Sequence, residues 1–160
     1  YEITYGDWSS DVCSSDLPVE TLACTKVSDL RLALCVRSDD PLARRRRLKA
    51  RMLAGRGLIA REEGSVTRQL AERMMTSVSV KADVRMEVTG REALKEAVVA
   101  GLGVGFLFAH EVEGDSRLVA IEFEASPQAA IYAVALRESL GIPAVRTFMD
   151  HVTSRPVLQR

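Results

Sequence analysis

The residues best suited to binding chemistry are hydroxyls, arginines and a glycine that follow two short apolar runs of the chain. They are Arg61, Gly64, Ser65, Thr67, Arg68 and Thr89. A hydroxyl at the start of a helix stands beside the unpaired amides of the first turn and the positive end of the helix dipole. That combination can hold a carboxylate, a sulfate or a phosphate. The spacing therefore predicts an anion site, provided that both positions begin helices.

Two helices are needed to position these groups. Ser65 is predicted to cap a helix, and Gly64 lets the backbone turn tightly into that helix from the strand at 57–60. The apolar face of the helix is Val66, Leu70, Met74 and Val78. Thr89 is predicted to cap a second helix after the strand at 83–88, which has Val84, Met86 and Val88 pointing inward. Strands of an open α/β sheet place ligands at their carboxyl ends, so the two helix starts are expected to converge. In the alternative interpretation, the hydroxyls only cap their helices.

The stretch from Thr89 to Leu107 predicts half of a βαβ unit. Thr89 and Glu92 have the spacing of a capping box, which predicts a helix that begins at Gly90 and ends at Gly101. The apolar run 104–108 contains no alternating polar residues, which is typical of a strand covered on both faces. Gly101, Gly103 and Gly105 follow a helix instead of a strand, so they favour close helix-to-sheet packing over a dinucleotide site.

The sequence gives little support for catalysis, for a metal or cofactor site, or for phosphate binding by its basic run. The two histidines, His110 and His151, are isolated, and the adjacent Glu62 and Glu63 would diverge, so no nucleophile with a base is present and no enzyme is expected. We expect no metal site and no cofactor. The basic run Arg44 to Arg47, with Lys49 and Arg51, could contact phosphate, but no aromatic or glycine pattern accompanies it, which favours a solvated surface.

The first seventeen residues differ from the rest of the chain. They contain no Lys or Arg, and their codons, read back from GDWSSDVCSSDL, resemble a common sequencing adapter. We interpret residues 1–17 as adapter-derived and unstructured. The whole chain of 160 residues has 22 basic and 22 acidic residues, and without this segment the remainder has a net charge of +4. No apolar run approaches the length of a membrane span.

The remaining elements are mostly strands. Residues 19–24 and 30–37 predict two strands joined by a turn at Ser28 and Asp29. Residues 117–123 predict another strand, and the fully apolar run 128–136 is typical of a central strand. Pro143 opens a helix with Val145, Phe148, Met149 and Val152 on one face. The two cysteines of these elements, Cys24 and Cys35, are interpreted as buried structural thiols.

Three separated blocks together resemble the effector-binding domain of LysR-type transcriptional regulators. They are RSDDPLARRRRLKARMLAGRGLIAREEGSVTR, EVTGREALKEAVVAGLGVGFLFAHEV, and DSRLVAIEF followed by IYAVALRESLGIPAVRTFMDHV. The resemblance implies an α/β, periplasmic-binding-protein-like (type 2) doubly wound sheet, with one subdomain complete and the other partial. Residues 38–122 would form the second subdomain. Residues 18–37 would be a remnant of the first subdomain with its crossover strand, and residues 123–160 the return crossover and the C-terminal part of the first.

The resemblance also implies a function. The expected function is sensing of a small, anionic effector in a bacterial regulator that would be cytoplasmic and would self-associate as a dimer or tetramer. The winged helix-turn-helix would precede residue 18, so DNA would be bound only through that missing domain, and no membrane is involved. A solute-binding protein of a transport system is the alternative. The blocks REEGSVTR and TGREALKEAV lean toward regulators of phosphonate use.

Overall fold

A computed structural model of the chain describes residues 19–154. The seven strands are β1 (Leu22–Arg37), β2 (Arg47–Leu48), β3 (Gly57–Arg61), β4 (Asp83–Val88), β5 (Val104–Phe108), β6 (Leu118–Phe123) and β7 (Gln128–Leu136). The four α-helices are α1 (Val66–Ser77), α2 (Arg91–Val99), α3 (Ala109–Val112) and α4 (Pro143–Ser154). Short 3-10 helices are Val19–Thr21, Pro41–Arg44, Ala50–Leu53 and Arg137–Gly141. The interpretation of residues 1–17 lies outside the described residues.

The chain divides into two compact units. The first contains the described residues up to Asp29 and from Ala130 onward, and the second is Leu30–Ala129. Both boundaries lie inside long strands, β1 and β7, whereas the sequence placed them at 37/38 and 122/123. A strand that runs through a boundary has no change of local pattern there, so the sequence offered no sharper signal.

The sheet of the second unit is mixed. Its strand order is β2-β6-β1-β5-β3-β4. Strand β3 is parallel to both β4 and β5, and β1 is antiparallel to both β5 and β6. The chain from β3 through α1 to β4, and from β4 through α2 to β5, therefore forms two βαβ crossovers. The expected α/β class is confirmed, although β5 has one parallel and one antiparallel neighbour.

The two long helices of the second unit cover opposite faces of its sheet. Leu70 and Met74 of α1 join a buried cluster with Leu34 and Phe106. Leu94 and Val98 of α2 join a separate cluster that contains Leu107. Consecutive residues of β5 thus point into different clusters, because side chains alternate across a strand. This is the doubly wound arrangement that the sequence predicted.

The helix-to-sheet packing predicted for the glycines is confirmed at Gly105, whereas Gly103 approaches a strand. A Cβ at Gly105 would lie 2.6 Å from a methyl carbon of Leu94, so α2 approaches β5 closely only because this residue has no side chain. A Cβ at Gly103 would lie 2.6 Å from the carbonyl oxygen of Gly57. Gly101 has a φ of 77° immediately after α2, as expected of a glycine that ends a helix.

Two predictions about strands are wrong. In place of the two strands expected at 19–24 and 30–37, residues 19–21 form a 3-10 helix and one continuous strand, β1, follows with Ser28 and Asp29 inside it. The polar pair marks the place where the chain leaves the first unit and enters the second, not a turn. In β4, Val84 and Met86 do not point into a core, since they are 54% and 39% exposed. Strand β4 is the last in the order, so it has a single paired neighbour and little cover.

The first unit contains β7, which pairs with β1, and α4. Pro143 opens α4 as predicted, but only Met149 of the expected apolar face is buried, and Phe148 is 59% exposed. Strand β7 is not central: within residues 19–154 it pairs with β1 alone, and Ile131 and Val134 are both nearly half exposed. Its apolar composition is therefore not matched by burial in the described part of the chain.

Candidate functional site

The carboxyl ends of β3 and β4 lie side by side at one edge of the sheet. The amide of Glu62, just after β3, donates a hydrogen bond of 3.1 Å to the carbonyl of Val88, the last residue of β4. Helix α1 begins after Ser65 and α2 begins after Gly90, so both helices start from this edge. Both helix N-termini therefore lie at the same edge of the sheet.

The carboxylate of Glu62 occupies the start of α2. Its Oε2 atom accepts a hydrogen bond of 3.1 Å from the amide of Gly90, the N-cap residue of α2. The Arg61 guanidinium donates two further bonds of 2.7 and 2.8 Å to the same carboxylate. Hydrogen bonding from Arg61, followed by that from backbone amides, lowers the pKa of Glu62 to about 2. The chain thus supplies its own anion to this helix end.

Thr89 is not the cap of α2. The helix begins one residue later than expected, with Gly90 as N-cap at a φ of 86° and a ψ of 153°, and this glycine has no side chain that could make a cap hydrogen bond. Glycine reaches this left-handed region without strain, whereas a threonine does not. Thr89 is exposed, and its predicted capping box with Glu92 does not form because the backbone turns at the glycine.

Ser65 and Thr67 form a pair of hydroxyls at the start of α1. Ser65 stands at the N-cap as predicted but makes no cap hydrogen bond, because its Oγ atom lies 3.0 Å from Oγ1 of Thr67 instead. Thr67 is 4% exposed. The first-turn amides of a helix have no partner within the helix, and here the N-cap side chain does not satisfy them. This end of α1 therefore presents amides and a hydroxyl pair together.

Arg61 and Arg68 are both engaged with carboxylates. Arg68 donates to Glu72 at 2.9 Å, to Glu87 at 2.6 Å and to the carbonyl of Arg61 at 2.9 Å, so it ties α1 to the ends of β3 and β4. Arg61 pairs with Glu62, and only 15% of its side chain is exposed. Gly64 has a φ of 86° in the turn between β3 and α1, which fits its predicted role.

A carboxylate also lies at the carboxyl end of a third strand, β5. Oε2 of Glu111, in α3, accepts a hydrogen bond of 2.9 Å from the amide of Phe108, the last residue of β5. Arg91 of α2 lies 3.6 Å from the same carboxylate. The sequence analysis considered Glu62 only together with the adjacent Glu63, as a pair unsuited to catalysis, and it did not consider Glu111. An acidic residue within three positions of a strand end was the signal that could have found both.

Between residues 19 and 154, no group of three or more His, Cys, Asp or Glu side chains is placed to hold a metal ion. In the same range, no helix is both long and apolar enough to cross a membrane.

The sequence is similar to known regulators. A family model described as the LysR substrate binding domain matches residues 12–156, which includes residues 12–17 of the segment interpreted as adapter-derived. The HTH-type transcriptional regulator CbbR of Xanthobacter flavus is 36% identical over 118 residues, with 70% of this chain and 35% of that protein covered. A RuBisCO operon transcriptional regulator of Allochromatium vinosum is 32% identical over 130 residues, with 79% and 43% covered. The chain thus spans less than half of the length of either relative.

The fold is similar to that of solved regulatory domains. The CcmR regulatory domain of Synechocystis, solved in complex with 2-PG, is 27% identical, with a TM-score of 0.75 and coverage of 88% of this chain and 70% of that one. The effector-binding domain of QuiR, solved with shikimate, is 17% identical with a TM-score of 0.72, over 88% of this chain and 68% of that chain. At that identity the likeness to QuiR concerns the fold alone.

Proposed function

This chain belongs to the LysR substrate-binding domain family, and from that premise we propose that it senses a small anionic effector. Domains of this family are parts of transcriptional regulators and are not enzymes. The alternative of a transport solute-binding protein shares the architecture, but the relatives reported above are named as regulators. Their names refer to the RuBisCO operon or to CbbR, so the expected lean toward phosphonate use finds no support among them.

The observation that carries the proposal is the unsatisfied start of α1. Its first-turn amides and the Ser65–Thr67 hydroxyl pair can donate to an anion without adding a positive charge of their own. One hydroxyl donates to the other, which leaves one hydroxyl proton of the pair for a ligand. The start of α2, by contrast, already receives the Glu62 carboxylate. We therefore place the anionic group of the effector on α1, with the exposed hydroxyl of Thr89 at the margin of the site.

The remaining candidate residues support this arrangement indirectly. Arg61 and Arg68 pair with Glu62, Glu72 and Glu87, and their two positive charges offset two of the three negative charges that repel an anion from this edge. Gly64 sets the turn that aims the first amides of α1. A charge-assisted hydrogen bond contributes about 1.5 to 3 kcal/mol, and the dipole of one helix adds roughly 0.3 to 1 kcal/mol.

The parent regulator is a further part of the proposal. Because relatives of which this chain covers 35% and 43% are named as transcriptional regulators, we propose that sequence-specific DNA binding belongs to a helix-turn-helix domain outside residues 19–154. We also propose that the parent self-associates as a dimer or tetramer and acts in the cytoplasm.

Thermal unfolding with and without ligand tests the effector site. The probes are 2-PG, named with the Synechocystis neighbour, and inorganic phosphate, with shikimate as a second organic anion. A ligand present at a hundredfold excess over its Kd stabilises the fold by about 2.7 kcal/mol, a rise of roughly 5 to 10 °C in Tm. Ser65→Ala and Thr67→Val should remove this rise.

Thr76→Val is the matched control, since Thr76 is an exposed hydroxyl near the other end of α1. It should keep the full ligand-induced rise. A rise that survives in both Ser65→Ala and Thr67→Val would place the effector elsewhere. If none of the three probes raises the Tm of the unsubstituted chain, the proposal of an anionic effector held by this chain is wrong.

A further inference from the structure

The strongest uncompensated charge of the described chain is the run Arg44 to Arg47. All four side chains are exposed. Among residues 19–154, none of the four makes an ion pair, and neither does Arg51 close by. Other exposed basic residues differ: Arg37, Arg85 and Arg117, for example, each bridge an aspartate or glutamate. The run therefore differs from these other exposed arginines in having no carboxylate partner.

The core holds this run in place. Leu42, just before it, is 7% exposed, and Leu48, just after it, is 1% exposed. Asp40 anchors the preceding turn, since its carboxylate accepts a 2.7 Å bond from the amide of Leu42 and pairs with Arg56 at 2.8 Å. Short strand β2 then pairs with β6, and the Leu48 carbonyl accepts a 2.9 Å bond from Glu124. The arginines project from a fixed backbone, not from a loose tail.

The cross-strand neighbour does not neutralise the run. Arg47 lies opposite Glu122 in the β2–β6 pairing, but the carboxylate of Glu122 is 3.0 Å from Arg31. Lys49 is the one member of the wider cluster with a bridge, a long one of 3.7 Å to the exposed Glu124. The surface therefore keeps at least four positive charges on consecutive residues, from Arg44 at the end of a 3-10 helix to Arg47 at the start of β2.

We propose that Arg44–Arg47 form a contact surface for the phosphate backbone of double-stranded DNA. Duplex DNA carries one negative charge per about 1.7 Å of helix axis, so four guanidiniums on neighbouring residues face several phosphates at once. Arginine donates in a fork that fits phosphate oxygens, and such contacts do not read sequence. Relatives named as helix-turn-helix regulators make DNA the polyanion to test first. The inference is independent of the proposed effector site.

The experiment measures binding of the 160-residue chain to a labelled 30-base-pair duplex of arbitrary sequence by fluorescence anisotropy, between 50 and 200 mM salt. Four phosphate contacts predict a slope near −3.6 in log K against log salt, a loss of about 150-fold over that range. The variant Arg44→Gln, Arg45→Gln, Arg46→Gln, Arg47→Gln should bind at least tenfold more weakly at 50 mM salt, with a slope near zero.

A second fourfold variant is the control for net charge. It carries Arg37→Gln, Arg85→Gln, Arg91→Gln and Arg117→Gln, four half-exposed arginines that are already bridged to carboxylates. It loses the same four charges and should keep the slope of the unsubstituted chain. Equal loss in both variants, no binding by the unsubstituted chain at 50 mM salt, or equal displacement of DNA by polyglutamate at matched charge would overturn the proposal.

Discussion

Glu62 determines the chemistry at the corner where β3 and β4 end. Its backbone amide and its carboxylate bind Val88 and Gly90, so one residue joins both strand ends and caps α2 from another part of the chain. Local sequence patterns could not reveal this contact, because the residues are 28 positions apart. The pattern at Thr89 and Glu92 looked like a complete local cap, yet the tertiary contact supplies the cap instead.

The low pKa of Glu62 gives a pH-dependent prediction. A carboxyl group whose folded pKa lies near 2, below its usual 4.5, contributes stability at neutral pH that is lost as pH falls from about 5 toward 2. Glu62→Gln should therefore lower the free energy of unfolding by roughly 1 kcal/mol at pH 7, the carboxylate being partly exposed. The deficit should shrink as the pH approaches 2. Urea unfolding at several pH values measures it.

Glu63→Gln is the matched control for this prediction. Glu63 is the adjacent carboxylate and is exposed, so its replacement should change stability little at any pH. A deficit of the same size in both variants, or one that does not depend on pH, would show that the corner is not held by the Glu62 carboxylate.

At the scale of elements, the sequence predicted those helices and strands whose apolar residues follow a clear helix or strand pattern. The starts of α1 and α4, the end of α2 at Gly101 and the buried strand β5 agree with the patterns. The errors in β4 and β7 share one cause. The alternating apolar residues of β4 and the apolar run of β7 show only that burial would be favourable, and a strand's position in the sheet decides whether its neighbours exist.

The glycines between α2 and β5 give a prediction of rank order. Gly103→Ala should destabilise most, because its Cβ would strike the Gly57 carbonyl, a backbone atom that cannot swing aside. Gly105→Ala should cost about 1 to 3 kcal/mol, since Leu94 can shift at the expense of packing. Gly141→Ala meets nothing within 4 Å and should be close to neutral. Chemical denaturation ranks the three, and an equal effect at all of them would contradict the close approach of β3 to Gly103 and of α2 to Gly105.

At the scale of the whole molecule, the two units differ in how completely their apolar side chains are buried. The second unit buries two clusters on opposite faces of its sheet. In the first unit, Ile131, Val134, Leu136, Ile142 and Phe148 are all more than a third exposed. The sequence predicted apolar residues on β7 and α4. Whether those residues are buried depends on which other elements pack against β7 and α4, and the local residue pattern does not specify those elements.

The open apolar surface of the first unit predicts self-association. Val134→Thr with Phe148→Ser should reduce concentration-dependent light scattering, because contiguous exposed apolar area drives non-specific association. The control pair is Val84→Thr with Leu102→Ser, at comparably exposed positions of the second unit. If the control pair reduces scattering as much as the first pair does, association does not arise from the surface of β7 and α4.

The proposed anion site at α1 is tested by a titration of the ¹⁵N-labelled chain with 2-PG, followed through its backbone amide resonances. We expect the largest shifts at the amides of Val66, Thr67 and Arg68, because these first-turn groups of α1 have no partner in the helix and would donate to an anion bound there. The amide of Gly90 should move less, since it already donates to Glu62. Shifts confined to the opposite ends of the strands, around Gly101 and Gly103, would contradict an anion site at α1.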